Sequence, residues 1–315
     1  MIDTSTFAEL LYPGIRKAID DGFRAYKQVY KSVANVDTTD REFFDDIDMT
    51  GVGTFAPVPE GSTIPQEDPL SGYKTRYTVV DYGKIIPLTH KMMRGDLYNV
   101  NTVQRLFKKL GRGANRTIDK GFFSVFNNGF STSYTSYGDA KPLFSVSHPR
   151  KDGGTAQSNA SATSAPLSAT ALFAGENALR EILDHKGQVV DIGEGQLTLI
   201  VPPKLEKKAV ELTESTLDPE SANNTIGFHK YVGRVNVIVC KWISAAAGGS
   251  DTAWFLVANA DHMLNLISAE GFETEWWEDK ETRTIKVRGT LAFCYGWSTW
   301  MGTYGSQGTG AAYAS

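Results

Sequence analysis

Residues 96–128, DLYNVNTVQRLFKKLGRGANRTIDKGFFSVFNN, decide how this chain is read. Leu97, Val100, Val103, Phe107, Leu110, Ala114, Ile118, Phe122 and Val125 follow one another at intervals of three or four. That spacing lays a single apolar stripe along a helix of 3.6 residues per turn. Asp96 or Asn101 can cap its start, and Asn127, Asn128 and Gly129 supply the polar, left-handed-tolerant residues that end a helix. At 1.5 Å per residue such a helix is roughly 45 Å long, whereas a typical globular helix has about 11–12 residues. Gly111 and Gly113 weaken its middle and predict a kink or bend there. A plain core helix would show the same period, so the residues before it have to decide between the two.

From Phe55 to Thr89 the chain has the opposite character. Pro57, Pro59, Gly61, Pro65, Pro69, Gly72, Gly83 and Pro87 recur too often for a helix, because proline removes a donor and glycine raises the entropic cost of order. Tyr73–Leu88 between them is rich in aromatic and β-branched residues. The pattern predicts two long strands joined by the turn-rich segment Glu60–Gly72, a hairpin that projects. An isolated hairpin is marginal in water, so a neighbouring chain has to cover an arm this long. That requirement points to a shell-building protein rather than an enzyme.

A chain of 315 residues with 41% hydrophobic content has room for two domains with real cores. No run approaches the roughly 18 apolar residues that span a bilayer, and the start, Met1-Ile2-Asp3-Thr4, lacks the charged-then-apolar pattern of an export signal. The expectation is a soluble intracellular chain with no membrane partner. Cys240 and Cys294 sit far apart in apolar runs and read as reduced core side chains, not a disulfide or metal pair. The Asn-x-Ser/Thr matches at Asn115, Asn159 and Asn223 carry no meaning without secretion.

The net charge of −4 conceals local asymmetry. Asp37, Asp40, Glu42, Asp45, Asp46 and Asp48 crowd one segment with only Arg41 against them. Lys91, Arg94, Arg105, Lys108, Lys109, Arg112 and Arg116 line the long helix and its lead-in against Asp96 alone. Both can be plain solvated surface. They can also register neighbouring subunits, or bring the helix to a scaffold or to packaged nucleic acid. An acidic chain argues against tight sequence-independent DNA binding, which needs many phosphate contacts.

The second half alternates strands and helices. Ser168–Lys186 reads as a helix capped by Ser168 and stopped by Gly187. Leu197–Val201 reads as a strand ended by Pro202 and Pro203, which admit a helix over Lys204–Thr213. Val235–Ile243 and Trp254–Ala258 read as buried strands about a Gly248–Ser250 turn, and Asp261–Ala269 as a short helix. Phe272–Tyr304 returns as long strands around Glu278–Thr282. Gly153–Ala165 and the tail Gly305–Ser315, low in complexity, read as mobile connectors. The class is α+β with one inserted, compact domain.

Ordered segments carry a resemblance. EGSTIPQEDPLSGYKTRYTVVDYGKIIPLTHKMMRGDLYNV, residues 60–100, resembles the extended loop and the start of the spine helix in major capsid proteins of tailed phages with the Hong Kong 97-type fold. KPLFSVSHP, LSATALFAGENALREI and LTLIVPPKLEKKAVELTES are similar, in that order, to the Mu-like major head subunit family. The resemblance spans Phe43 to Tyr304. It implies an N-terminal arm over 1–53, an extended β-hairpin loop over 54–88, a peripheral domain over 89–166 and 270–315, and an axial domain over 167–269. The peripheral domain would be built on the spine helix, about 96–128, and would end in a flexible tail. The family's frequent N-terminal scaffolding region has no counterpart here, so the scaffold would be a separate protein or a cleaved segment.

The same resemblance implies a homo-oligomer of pentamers and hexamers forming an icosahedral shell in the virion. It would assemble in the host cytoplasm with a scaffold and a portal, and hold double-stranded DNA by weak non-specific contact. Ile64, Tyr73, Lys74, Arg76 and Tyr77 on the loop, and Arg105, Lys109 and Arg112 on the helix, are the candidate inter-subunit contacts.

No catalytic or cofactor motif competes with that reading. His90, His148, His185, His229 and His262 are scattered, with no His-Glu-x-x-His, Cys-x-x-Cys or Gly-x-Ser-x-Gly, and Gly51-Val52-Gly53 is no phosphate loop. His148 before Pro149 reads as a turn residue, and Asp184, Asp191 and Glu194 as solvated loop carboxylates as readily as a cation site. The expectation is no enzyme, no cofactor and no metal. The alternatives are a same-fold encapsulin-type nanocompartment around a cargo enzyme and, further off, an unrecognised cytosolic enzyme.

Overall fold

A computed structural model describes residues 4–49, 55, 57–64, 66, 68, 70–89, 100–135, 138–214, 233–279, 281, 282 and 284–313, with the backbone alone for 4–13 and 100–102. In chain order the elements are α1 (Thr4–Arg24), β1 (Asn35–Thr38), β2 (Phe43–Met49), β3 (Ser71–Thr78), β4 (Val80–Thr89), α2 (Val100–Asn127), α3 (Ala169–Arg180) and β5 (Leu197–Val201). They continue with α4 (Glu206–Glu214), β6 (Val235–Val239), β7 (Trp254–Ala258), β8 (Leu264–Asp279), β9 (Thr284–Trp297) and β10 (Thr303–Ser306). The chain divides into two units, Met1–Phe44 with Thr78–Phe122 and Leu266–Tyr295, and Asp45–Tyr77 with Phe123–Asn265 and Gly296–Ser315.

In the first unit the stripe of α2 is buried where its period requires. Phe107, Leu110, Ala114 and Phe122 are buried, and Phe107 and Leu110 share a core with Ile15, Ala18 and Ile19 of α1, Leu88 of β4, and Ile285 and Val287 of β9. Asp96 and Leu97 lie outside the described residues, and Asn101 lies within the helix, not at its cap. The helix runs on through Gly111 and Gly113. Gly111 is small because α1 crosses there. A Cβ on it would fall 2.1 Å from the Ile19 carbonyl oxygen, and one on Gly22 would fall 2.2 Å from that of Lys108. The sheet beside them has the order β1-β8-β9-β4, with β4 antiparallel to β9 from Val80 against Phe293 to Thr89 against Thr284. Pro87 is tolerated because β4 is an edge strand.

In the second unit the sheet has the order β10-β7-β5-β6. β5 and β7 are wholly buried, and β5 runs parallel to β6 with α4 in the connection, as parallel neighbours require. Phe126, Phe144 and Phe255 pack ring against ring at 5.1–6.3 Å to close the core, Phe144 stacked on Phe255 and Phe126 edge-on to it. Cys240 and Cys294 are buried and form no disulfide, and burial pushes the Cys294 thiol up to about 11.

Four expectations need correction. The turn-rich segment does not join two strands inside 55–89: it joins β2 to β3, and β4 belongs to the four-stranded sheet. The acidic strand is the partner because its Asp45 meets two cations on β3. Asp261–Ala269 is no helix but leads into β8, because Leu264, Leu266 and Ile267 are buried in strand pairing. The helix begun at Ser168 stops at Arg180, since the Asp184 carboxylate accepts from Lys186 N at 2.8 Å and Gln188 N at 2.9 Å and turns the chain. The supposedly mobile segments are tied down. Gly305 N donates to Asn159 O, β10 pairs antiparallel with β7, Tyr313 N donates to Ala162 O, and Tyr313 OH donates to Phe144 O.

Candidate assembly surfaces

The ribbon of β2 and β3, most of which belongs to the second unit, is held by charge on one side and a polar knot on the other. Asp45 accepts from Arg76 Nε at 2.6 Å and Nη2 at 2.8 Å, and from Lys74 at 2.7 Å. Those hydrogen bonds, Arg76 first, hold its carboxyl well below the usual carboxylate range. Tyr77, 2% exposed, shares a 2.7 Å hydrogen bond with Ser298 Oγ and accepts from Asn265 Nδ2, while Ser298 donates to Asp46. Tyr77 is therefore interior to its own chain, and Lys74 and Arg76 present charge already half satisfied.

The base of the ribbon is gripped by amines. Lys151 donates to the Ser71 and Gly72 carbonyls, and Lys186 to that of Asp68 at 2.7 Å. Lys151 sits 4.9 Å over the Tyr73 ring, which meets His185 edge-on at 5.4 Å. Beyond that grip the connecting segment puts Phe55 out at 96% exposure and Ile64 at 76%. Burying two such side chains is worth about 3–6 kcal/mol against leaving them in water. Sequence reasoning chose Ile64 and missed Phe55, along with Phe43, Ile47 and Met49, which are also exposed on β2. Their signal was an apolar side chain at nearly every turn of a strand too acidic to be core.

In the first unit Arg105, Lys109 and Arg112 lie exposed on α2. Lys109 also flanks a hollow of about 400 Å³ between the helix and the sheet, lined by Tyr82, Ile86, Leu106, Leu110, Phe272 and Leu291. Among the described residues β4 is the last strand of its sheet, and its Val80 and Ile85 are about half exposed.

The catalytic candidates resolve into structure. His148, 1% exposed, stacks on Trp300 at 4.4 Å, with Nδ1 2.7 Å from Asp139 Oδ2 and Nε2 3.1 Å from Asn159 Oδ1. No substrate reaches a ring so enclosed. His262 is buried and held neutral, its pKa lowered to about 4 by desolvation. Asn115 and Asn159, the glycosylation-like matches, are buried in hydrogen-bond networks. Asn223, His90 and His229 lie outside the described residues. Among the described residues no three His, Cys, Asp or Glu side chains group as metal ligands, and no helix is long and apolar enough to cross a membrane.

A family model described as phage capsid protein matches residues 72–306, well over half of the chain. The chain belongs to the phage capsid protein family. A comparison with curated protein sequences gave no match. Among solved structures, this capsid protein is similar to a chain of Mycobacterium phage Patience, with TM-score 0.58 and 13% identity over 97% of this chain and 89% of that one. It is similar to the capsid of the cyanophage P-SCSP1u, with TM-score 0.56 and 11% identity over 89% and 87%. It is similar also to a virus-like particle from Pyrococcus furiosus, with TM-score 0.52 and 10% identity over 94% and 99%. The capsid protein thus has the α+β fold of Hong Kong 97-type shells.

Proposed function

We propose that this protein is the major head subunit of a tailed phage, closing as pentamers and hexamers into an icosahedral shell around double-stranded DNA. The match of residues 72–306 to phage capsid proteins carries the reading, and the 96% exposure of Phe55 on a grown-out ribbon supports it, since only another subunit is repeated wherever the ribbon goes. Within the family, the segments at residues 141–149, 167–182 and 197–215 favour the Mu-like head subunits. The β2–β3 ribbon and the segment that joins its strands serve as the extended loop, the unit of α1 and the β1-β8-β9-β4 sheet as the peripheral domain, and the unit of the β10-β7-β5-β6 sheet as the axial domain. Ile64, Tyr73, Lys74 and Arg76 then meet one neighbour, and Arg105, Lys109 and Arg112 face outward from the helix. Assembly takes place in the host cytoplasm on a separate scaffold, with a portal at one vertex.

The test is to express the chain with its neighbouring genes, isolate fast-sedimenting particles and treat them with nuclease. Protected double-stranded DNA of uniform length is expected. Particles filled instead with one co-purifying enzyme would replace the phage head by a nanocompartment.

A further inference from the structure

The outward face of α2 carries one sign of charge. Arg105, Lys108, Lys109, Arg112, Arg116 and Lys120 are all exposed. At about 100° per residue they share an arc about 120° wide, opposite the buried stripe, and run about 22 Å along the axis. The only carboxylate in the helix, Asp119, is buried and accepts from Val29 N at 3.2 Å and Tyr30 N at 3.0 Å. None of the six cationic side chains has a salt-bridge partner among the described residues. The crossing helix α1 does not offset them, because Arg16, Lys17 and Arg24 balance Glu9, Asp20 and Asp21. Like charges at i,i+4 destabilise a helix, so the isolated subunit bears a cost that an anionic partner would relieve.

Two partners fit a cationic stripe, a polyanion or the acidic stretch of a second copy. The acidic stretch is already half spent inside its own chain: Asp45 on Arg76 and Lys74, Asp46 on Ser298, and Asp48 facing His185 at 3.5 Å. Three exposed carboxylates, Asp37, Asp40 and Glu42, are left for six cations. We propose that this face of α2 is the surface that meets the packaged double-stranded DNA, contacting phosphates without reading bases. The inference rests on the capsid reading and adds to it which face of the subunit lines the interior. Six phosphate contacts give a salt slope of about −5, so affinity falls about a thousandfold between 50 and 200 mM salt.

The test uses unassembled full-length protein and a random-sequence 30-base-pair duplex, read by fluorescence anisotropy across a KCl series. R105Q/K109Q/R112Q/R116Q should flatten the slope by about 3–4 and weaken binding about a hundredfold or more at 50 mM. The control K17Q/K27Q/K31Q/K207Q makes the same change in net charge and should leave the slope near wild type. Circular dichroism identical to wild type certifies both folds. An unchanged slope in the first variant, or an equal fall in the control, overturns the proposal. So does a first variant that binds DNA normally yet no longer forms shells, which would make the stripe an interface between copies. Absence of shells and rings from wild-type protein under electron microscopy, both alone and with its neighbouring gene products, is a separate result, and sinks the capsid reading itself.

Discussion

Single carboxylates mark where this chain is pinned. Asp279, at the end of β8, accepts from Lys286 Nζ at 2.7 Å, and hydrogen bonds from Lys286 and Thr282 hold its pKa down to about 2. A carboxyl depressed in the folded state adds stability that is complete above its unfolded value, about 3.9, and is lost as pH falls through the folded one. The Asp279→Asn variant should therefore melt lower than wild type at pH 6 and together with it near pH 2. Thermal melts at both values check this, and a gap that widens in acid would refute it. Asp45 is linked to pH with the same sign through Arg76 and Lys74. Both pairs are exposed, so each effect is small.

At the scale of elements, glycine separates packing from propensity. Gly111→Ala puts a methyl 2.1 Å from the Ile19 carbonyl and should cost about 2–3 kcal/mol by forcing α1 off α2. Gly113→Ala meets nothing within 4 Å and should gain about 1 kcal/mol from helix propensity. Urea unfolding of the two variants decides the matter, and equal effects would mean the helices do not cross at Gly111. The sequence shows α2 almost residue by residue because its stripe is long and regular. It shows β5 and β7 because both are short apolar runs, the first stopped by Pro202 and Pro203 and the second set off by the Gly248–Ser250 turn before it.

Other parts were hidden for physical reasons. α1 has its own stripe in Ile15, Ala18, Ile19 and Phe23, but Pro13 and the reading of the whole region as an arm concealed it. Asp261–Ala269 has too few residues for period 2 and period 3.6 to be told apart, and pairing with distant β9 settled it. The exposed face of β2 was legible only as charge. The grip of Lys151 and Lys186 on the ribbon depends on carbonyls that carry no sequence signal.

For the whole molecule, the division between what folds the subunit and what joins subunits falls inside the loop region. Deleting Phe55–Leu88 would take β4 from its sheet and Leu88 from the core, and so would unfold the first unit. Replacing residues 51–69 by a short turn leaves both four-stranded sheets and the β2–β3 pairing intact. That variant should remain folded and soluble, with a melting curve close to wild type, and should not yield stable shells in sedimentation. Normal shells from it would remove the segment from assembly.

The most direct measurement is electron microscopy of the purified full-length protein, alone and with its neighbouring gene products. Closed regular shells, or rings of five and six subunits, are the expected result. Uniform small particles under both conditions would contradict the account of this chain as a shell subunit.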